Sequence, residues 1–264
     1  MPELPDVEVY KRYLDATSLH QEIQQVEIRA SKLVKGTALS TLREELTGAG
    51  FERTRRHGKW LFAGINSGTW LVLHFGMTGE LKYFQDLDDD PAYDQLLISF
   101  VNGCHLAYSA PRKLGEFRII QEVEGFLHAK ELGPDVMDLD RNEFLSLLSG
   151  RRGMLKTALM DQSLMAGIGN VYSDEVLYQV GLHPRTEIKH LTEEVLGEVF
   201  SALHEVVDTA VEHGAEPEEF PADYLTPHRQ PGTDCPRCEG QIERIKVSGR
   251  SAYCCPSCQD RPGS

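Results

Sequence analysis

Two of the chain's first six residues, Met1-Pro2-Glu3-Leu4-Pro5-Asp6, can do chemistry together. Removal of Met1, which a small second residue permits, leaves Pro2 as the terminus with a secondary amine in place of an amide. An α-amine titrates at about pH 8, roughly two units below lysine, so more of it is free base at neutral pH. Such an amine can attack an electrophilic sugar carbon and form an imine. Glu3, its neighbour, can move the protons that this reaction needs. A second chemical signature lies at the other end of the chain. Cys235-Pro-Arg-Cys238 is followed, after sixteen intervening residues, by Cys255-Pro-Ser-Cys258. Two such knuckles on a β-hairpin offer four thiolates to one tetrahedral Zn2+. A soft set with no open position makes that metal structural. A third, weaker signal is Gly167-Ile168-Gly169-Asn170, whose glycines before a helix start let backbone N–H groups approach a phosphate.

These residues need elements to hold them. Asp6 is expected to cap a helix from Val7 to about Ala16, with Val9, Tyr10, Tyr13 and Leu14 at helical spacing. That helix start places partial positive charge near Pro2 and favours its neutral form. Val26 and Ile28 alternate as a strand would, and a short helix follows near Thr41 to Leu46. Between Phe51 and Ile120 the pattern is mostly β. The segments are Lys59 to Ile65, Trp70 to His74, Leu81 to Phe84, Leu96 to Phe100, Cys104 to Tyr108 and Phe117 to Ile120, joined by turns such as Asn102-Gly103. Short strands at this spacing read as an antiparallel sandwich or barrel. After Gly133-Pro134 the period changes. Helices are expected over Arg141 to Leu148, Leu155 to Met160, Asn170 to Val180 and Thr192 to His213, the last capped by Thr192. The plan is a β domain, a linker near residues 125 to 133, a helical domain and a small metal module.

Composition bounds the partners. The 264 residues carry a net charge of -14, yet basic residues cluster at Arg53 to Lys59, Arg112 to Arg118, Arg151 to Lys156 and Arg244 to Arg250. A phosphate backbone responds to the local face it meets, so a nucleic-acid partner requires a basic cleft in an acidic body. No run of eighteen apolar residues and no charged-then-apolar leader is present. The expectation is a soluble, unexported, cytoplasmic and monomeric protein with no membrane partner. Five of the six cysteines fall between Cys235 and Cys258, which suggests metal and not disulfides.

Taken together, these residues resemble the formamidopyrimidine-DNA glycosylase/endonuclease VIII family of base-excision repair enzymes. The likeness runs in order through the Met-Pro-Glu-Leu-Pro start, Lys59, His74-Phe-Gly-Met77-Thr-Gly, Pro111-Arg112-Lys113, Leu155-Lys156 with Asp161-Gln162, the Gly-Ile-Gly-Asn turn and the zinc finger with Arg250 five residues before Cys255. It implies an α+β fold of two domains: an N-terminal antiparallel β-sandwich flanked by helices, over residues 1–125, and a C-terminal helix–two-turn–helix domain, over 134–214, with a four-cysteine zinc-finger hairpin over 230–260. It implies a nucleoid-associated enzyme whose partner is double-stranded DNA carrying an oxidised base or an abasic site. Carried over by residue, Pro2 attacks C1′, Glu3 is the acid/base, and Lys59 completes the catalytic set while gripping phosphate. His74, Asn170 and Arg250 also match phosphate-gripping positions. Lys156 orients that region, Met77 and Arg112 fill the gap left by an extruded base, and Asp6 and Glu175 line the lesion pocket.

The resemblance leaves the lesion open. Leu4 leans toward the branch acting on oxidised purines such as formamidopyrimidines and 8-oxoguanine. Leu114, where that branch carries an aromatic wedge, leaves the orphan-base contacts open, and Asp6 in place of glutamate alters the contacts to the lesion. The short Ala215 to Asp234 segment leans away from 8-oxoguanine, and oxidised pyrimidines remain the alternative. Two further classes remain in view: a catalytically silent damage binder, and a zinc-ribbon interaction protein. Asp161 and Asp174 read as helix caps or surface acids.

Overall fold

The computed structural model describes residues 2–259, which fall into two compact units divided between Glu131 and Leu132. The first unit holds helices α1 (Leu4–Thr17), α2 (Leu39–Leu46) and α3 (Val123–Ala129) with strands β1 (Ile23–Ile28), β2 (Phe51–His57), β3 (Trp60–Ile65), β4 (Trp70–His74), β5 (Glu80–Phe84), β6 (Asp94–Phe100), β7 (His105–Ser109) and β8 (Glu116–Ile120). The strands form two four-stranded antiparallel sheets, ordered β1-β6-β7-β5 and β2-β3-β4-β8. Leu61, Ala63, Leu71, Leu73 and Phe117 of one sheet share a core with Ile23, Leu96, Ile98, Phe100 and Leu106 of the other, joined by Val7 and Leu14 of α1. Alternation along each strand dictates this, since residues two apart face the same side.

All six residues of β3 are buried, so its outer face is covered too. The cover is α3, whose Phe126 meets Trp60 at 4.9 Å and Phe62 at 5.6 Å between ring centroids, both edge-on. Residues 125–133, expected to be a linker, therefore begin with a packed helix. Strand β2 is an element that the sequence pattern does not display. Its one apolar residue, Phe51, sits at its start, with Glu52 to His57 following. Helix α1 starts three residues earlier than expected. A proline early in a helix gives up an N–H that has no partner anyway, so Pro5 extends the first turn and moves the cap back to Glu3.

The second unit holds α4 (Arg141–Leu148), α5 (Leu155–Leu159), α6 (Asn170–Gln179), α7 (Glu193–Glu212) and a hairpin of β9 (Glu243–Val247) and β10 (Arg250–Cys254). Thr192 caps α7 through Val195 N at 3.3 Å, as expected. Asp140 and Glu143 form a reciprocal capping box on α4, with bonds of 2.8 and 2.9 Å. Helix α6 is the centre of this unit. It packs against α5 and α7 and against β10, and Tyr172 to Tyr178 are all buried. The hairpin turn Ser248-Gly249 has positive φ at both residues, the tight geometry that suits the twist of two paired strands. Among the described residues, no helix is long and apolar enough to cross a membrane.

Candidate functional site

In the first unit the candidate residues lie at the head of α1, in the turn after β2, at the end of β4 and in the loops that follow β4 and β7. Pro2 and Glu3 are buried at the start of α1. Met1, whose removal the imine reading requires, lies outside the described residues. Asp6 stands at the third helical position, where its Oδ2 accepts the Glu3 N–H at 2.9 Å. Burial pushes the Asp6 carboxyl up to about 6, reinforced by the Glu3 charge. Two residues on, Glu8 accepts from Arg56 Nε at 3.1 Å, and the Arg56 guanidinium also donates to Gly58 O at 3.3 Å. Arg56 thereby ties α1 to the two-residue turn Gly58-Lys59, whose positive φ at Gly58 a glycine supplies at no steric cost.

Pairing of β3 with β4 and of β4 with β8 sets Trp60, His74 and Glu116 in one row at the end of the sheet, next to Lys59. The His74 ring lies 4.5 Å from that of Trp60. Burial holds the His74 imidazole down to about 4, and the nearby Lys59 and Lys130 ammoniums push the same way against Glu116. His74 Nδ1 accepts the Gly76 N–H at 3.3 Å, so the proton of the neutral ring is on Nε2. At neutral pH His74 is thus a hydrogen-bond donor without charge.

The loop after His74 is shaped by glycine. A Cβ on Gly76, which has φ +61°, would lie 2.5 Å from Leu114 C, and one on Gly79 would lie 2.4 Å from Phe75 O. This close approach sets Met77 beside the turn of Arg112 and Leu114. All three are exposed, the two apolar ones by 38% and 54%. Neither apolar side chain belongs to the core of the unit.

In the second unit, Lys156 and Arg250 line one hollow, and Asn170 is joined to the strand that carries Arg250. An open cavity of about 420 Å³ is lined by Lys156, Thr157, Met160, Gln162, Ser248 and Arg250. Arg250 is exposed on β10, with Nη1 3.9 Å from Met160 Sδ. Asn170 opens α6, and its Nδ2 donates to Ser251 O at 2.8 Å, which leaves the second Nδ2 hydrogen for an anion. Lys156 is turned inward. Only 1% of its side chain is exposed, and Nζ donates to Ser173 Oγ at 2.6 Å and Asn170 O at 3.2 Å. The ammonium therefore does not present itself to a phosphate, and its place is an orienting one.

Glu175 differs from expectation. It is fully buried, and its carboxylate accepts from Leu225 N (3.1 Å), Thr226 N (2.7 Å), Thr226 Oγ1 (2.6 Å) and Gln179 Nε2 (2.7 Å). A group with no surface and four donors cannot line a pocket. It fixes the segment at residues 225–226 instead. Sequence reasoning also missed Asp174 and Arg229. Asp174, read as a cap or surface acid, has no exposed surface and is paired with Lys156 and Arg229 at 2.8 and 2.7 Å. The available signal was its setting, an acid on a helix flanked by Tyr172, Val176, Leu177 and Tyr178.

The four cysteine Sγ atoms lie within 4.8 Å of one another, with pairs at 3.2 to 3.6 Å. Four sulfurs each about 2.3 Å from a tetrahedral Zn2+ stand roughly 3.8 Å apart, so the set fits one structural zinc. The Gly240 N–H reaches Cys238 Sγ at 3.3 Å, and Tyr178 of α6 meets Cys235 Sγ at 3.1 Å. Cys104 and Cys254 stand outside this set.

Three family models match, in order and over most of the chain. They are the formamidopyrimidine-DNA glycosylase N-terminal domain (residues 1–117), the formamidopyrimidine-DNA glycosylase H2TH domain (132–220) and the zinc finger found in FPG and IleRS (234–261). The chain belongs to the formamidopyrimidine-DNA glycosylase family. Its enzyme class, DNA glycosylase, follows from that membership, and the expected fold and zinc are borne out. Among curated relatives, the formamidopyrimidine-DNA glycosylase of Pelotomaculum thermopropionicum is 30% identical over 98% of this chain and 99% of its own length. That of Streptococcus pyogenes serotype M6 is 32% identical, covering 99% of each. Among solved structures, the Lactococcus lactis enzyme non-covalently bound to DNA containing an AP site is 29% identical, with a TM-score of 0.88 over 98% of this chain and all of that one. The same enzyme in complex with DNA containing N7-benzyl-Fapy-dG gives a TM-score of 0.89 at 29% identity and the same coverage.

Proposed function

We propose that this chain removes oxidised bases from double-stranded DNA, with formamidopyrimidine and 8-oxoguanine-type purines preferred, and cuts the strand at the resulting abasic site. The observation that carries the reading is the Pro2-Glu3 start, buried at the head of α1 and tied through Arg56 to the Lys59 turn. With Met1 removed, the Pro2 lone pair attacks C1′ of the damaged nucleotide. The base leaves with the electron pair of the glycosidic bond and takes a proton, and Glu3 is placed to serve ring opening. The resulting iminium acidifies the C2′ proton. Its loss expels the 3′ phosphate, a second elimination expels the 5′ phosphate, and hydrolysis returns Pro2.

Around this step, Lys59, His74, Asn170 and Arg250 grip phosphates, His74 through its neutral Nε2–H. Met77 and Arg112 enter the gap in the stack, which offsets part of the few kcal/mol that extruding a base costs. Asp6 borders the lesion and holds the Glu3 backbone. Lys156 and Glu175 act on the protein and not on the DNA. The zinc supplies no chemistry here; its four thiolates hold the hairpin that carries Arg250. The purine preference is supported by the Fapy-dG-type DNA held by the Lactococcus relative and by the names of the curated relatives. The substrate places the enzyme's work at the nucleoid.

Single-turnover excision across a panel of lesion duplexes, each also treated with borohydride, tests this. Formamidopyrimidine and 8-oxoguanine duplexes are expected to react fastest and to give a trapped adduct. Faster excision of oxidised pyrimidines would overturn the preference, and turnover without an adduct would overturn the imine.

A further inference from the structure

Asp174 lies one helical turn past Asn170 and has no surface of its own, yet it touches three other parts of the second unit. Its Oδ2 accepts the Tyr253 N–H of β10 at 3.1 Å. The same oxygen takes two bonds from Arg229, from Nη2 at 2.7 Å and Nε at 3.1 Å. Its Oδ1 stands 2.8 Å from Lys156 Nζ of α5, and Lys156 in turn donates to Ser173 and Asn170. Arg229 lies over the Tyr253 ring, 4.4 Å from its centroid, and reaches Asn170 O at 3.4 Å.

Two bonds therefore join α6 to β10: Asn170 to Ser251 O at 2.8 Å, and Tyr253 N to Asp174. Their spacings match. Four residues along a helix advance about 6 Å, and two along a strand advance about 6.8 Å. Helix and strand can thus be pinned side by side at two points without strain. The strand pinned this way begins at Arg250, and the helix begins at Asn170.

We infer that Asp174 is a positioning residue for the reaction. It fixes the register of α6 against β10, and so the separation and aim of the two side chains, Asn170 and Arg250, that grip the DNA. Lys156, which is buried, and Arg229, which keeps part of its surface, hold its carboxylate in place. The inference deepens the proposed function and rests on Arg250 meeting DNA.

The test is a double-mutant cycle of Asp174→Asn with Arg250→Ala in the zinc-loaded, full-length protein, read as equilibrium binding to abasic-site duplex. Arg250→Ala alone is expected to weaken binding by about tenfold, the effect of 1.4 kcal/mol. In the Asp174→Asn background, where Arg250 is no longer aimed, it is expected to cost less than about threefold, because residues sharing one network do not add. Asp174→Glu keeps the carboxylate charge between Lys156 and Arg229 where Asn fails to fold. It displaces the carboxylate from Tyr253 N by a methylene and is expected to weaken the coupling in the same direction. Additive losses in both backgrounds, or loss of zinc from both variants, would make Asp174 a support of the fold and overturn the inference. Unchanged binding by Arg250→Ala in the otherwise native chain would overturn the reading beneath it, and the inference with it.

Discussion

Asp6 and His74 titrate in one pH window with opposite signs, and that opposition is measurable. The Asp6 pKa rises from 3.8 to about 6, while that of His74 falls from 6.5 to about 4. At about 1.4 kcal/mol per unit, each shift is worth at most about 3 kcal/mol, since both side chains keep part of their surface. For Asp6 the native pKa is above the unfolded one. Its stabilising contribution is full below about pH 4 and is lost as pH rises through about 6. For His74 the native pKa is below the unfolded one. Its contribution is full above about pH 6.5 and is lost as pH falls toward 4. In the native protein the two nearly cancel. Asp6→Asn, which keeps an oxygen for the Glu3 N–H, is expected to leave the His74 slope, so stability rises by about 3 kcal/mol from pH 4 to 6.5. His74→Gln leaves the Asp6 slope, and stability falls by about as much. Urea unfolding followed by tryptophan fluorescence reads this directly, because both tryptophans, Trp60 and Trp70, lie in the first unit. All other titrating groups are common to both variants. Parallel pH profiles for the two would refute the assignment of buried neutral forms.

The neutral state of His74 also separates it from the cations in DNA binding. Arg250→Ala and Lys59→Ala are each expected to lower the slope of log affinity against log salt by about one. His74→Gln should weaken binding while leaving that slope unchanged, as fluorescence anisotropy at several salt concentrations would show. Chelation of the zinc is expected to abolish duplex binding while leaving the unfolding of the first unit, read by tryptophan fluorescence, in place. Replacing Glu175 by Gln is expected to cost about 2 kcal/mol, because hydrogen bonds to a buried charge are worth about 1.5–3 kcal/mol. Faster hydrogen exchange at the Leu225 and Thr226 amides would report it.

Much of the frame was legible because its signals are local. Strands such as Trp70–His74 and helix Arg141–Leu148 announce themselves through the spacing of their apolar residues, and the zinc set through cysteine spacing alone. The missed pieces depend on contacts distant in sequence. Helix α3 is only seven residues long and is held by Phe126 against Trp60 and Phe62, more than sixty positions away. Helix α1 showed its body but not its start, since Glu3 and Asp6 are both able to cap. Ser173-Asp174-Glu175 looks like a solvated face until α5, α7 and β10 close around it. Burial then changes what those residues are for. Glu175 becomes an anchor for the segment at Leu225, and Asp174 a junction for Lys156 and Arg229. Arg229, in an irregular proline-rich segment, carries no local pattern at all.

The central claim is covalent catalysis at the second residue. Mass spectrometry of the active enzyme, before and after borohydride trapping on lesion-bearing duplex, tests it most directly. The account expects a free protein that begins at Pro2 and a trapped species whose deoxyribose remnant is attached to the Pro2 nitrogen. An active protein that still carries Met1, or an adduct mapped to a lysine such as Lys59, would contradict it.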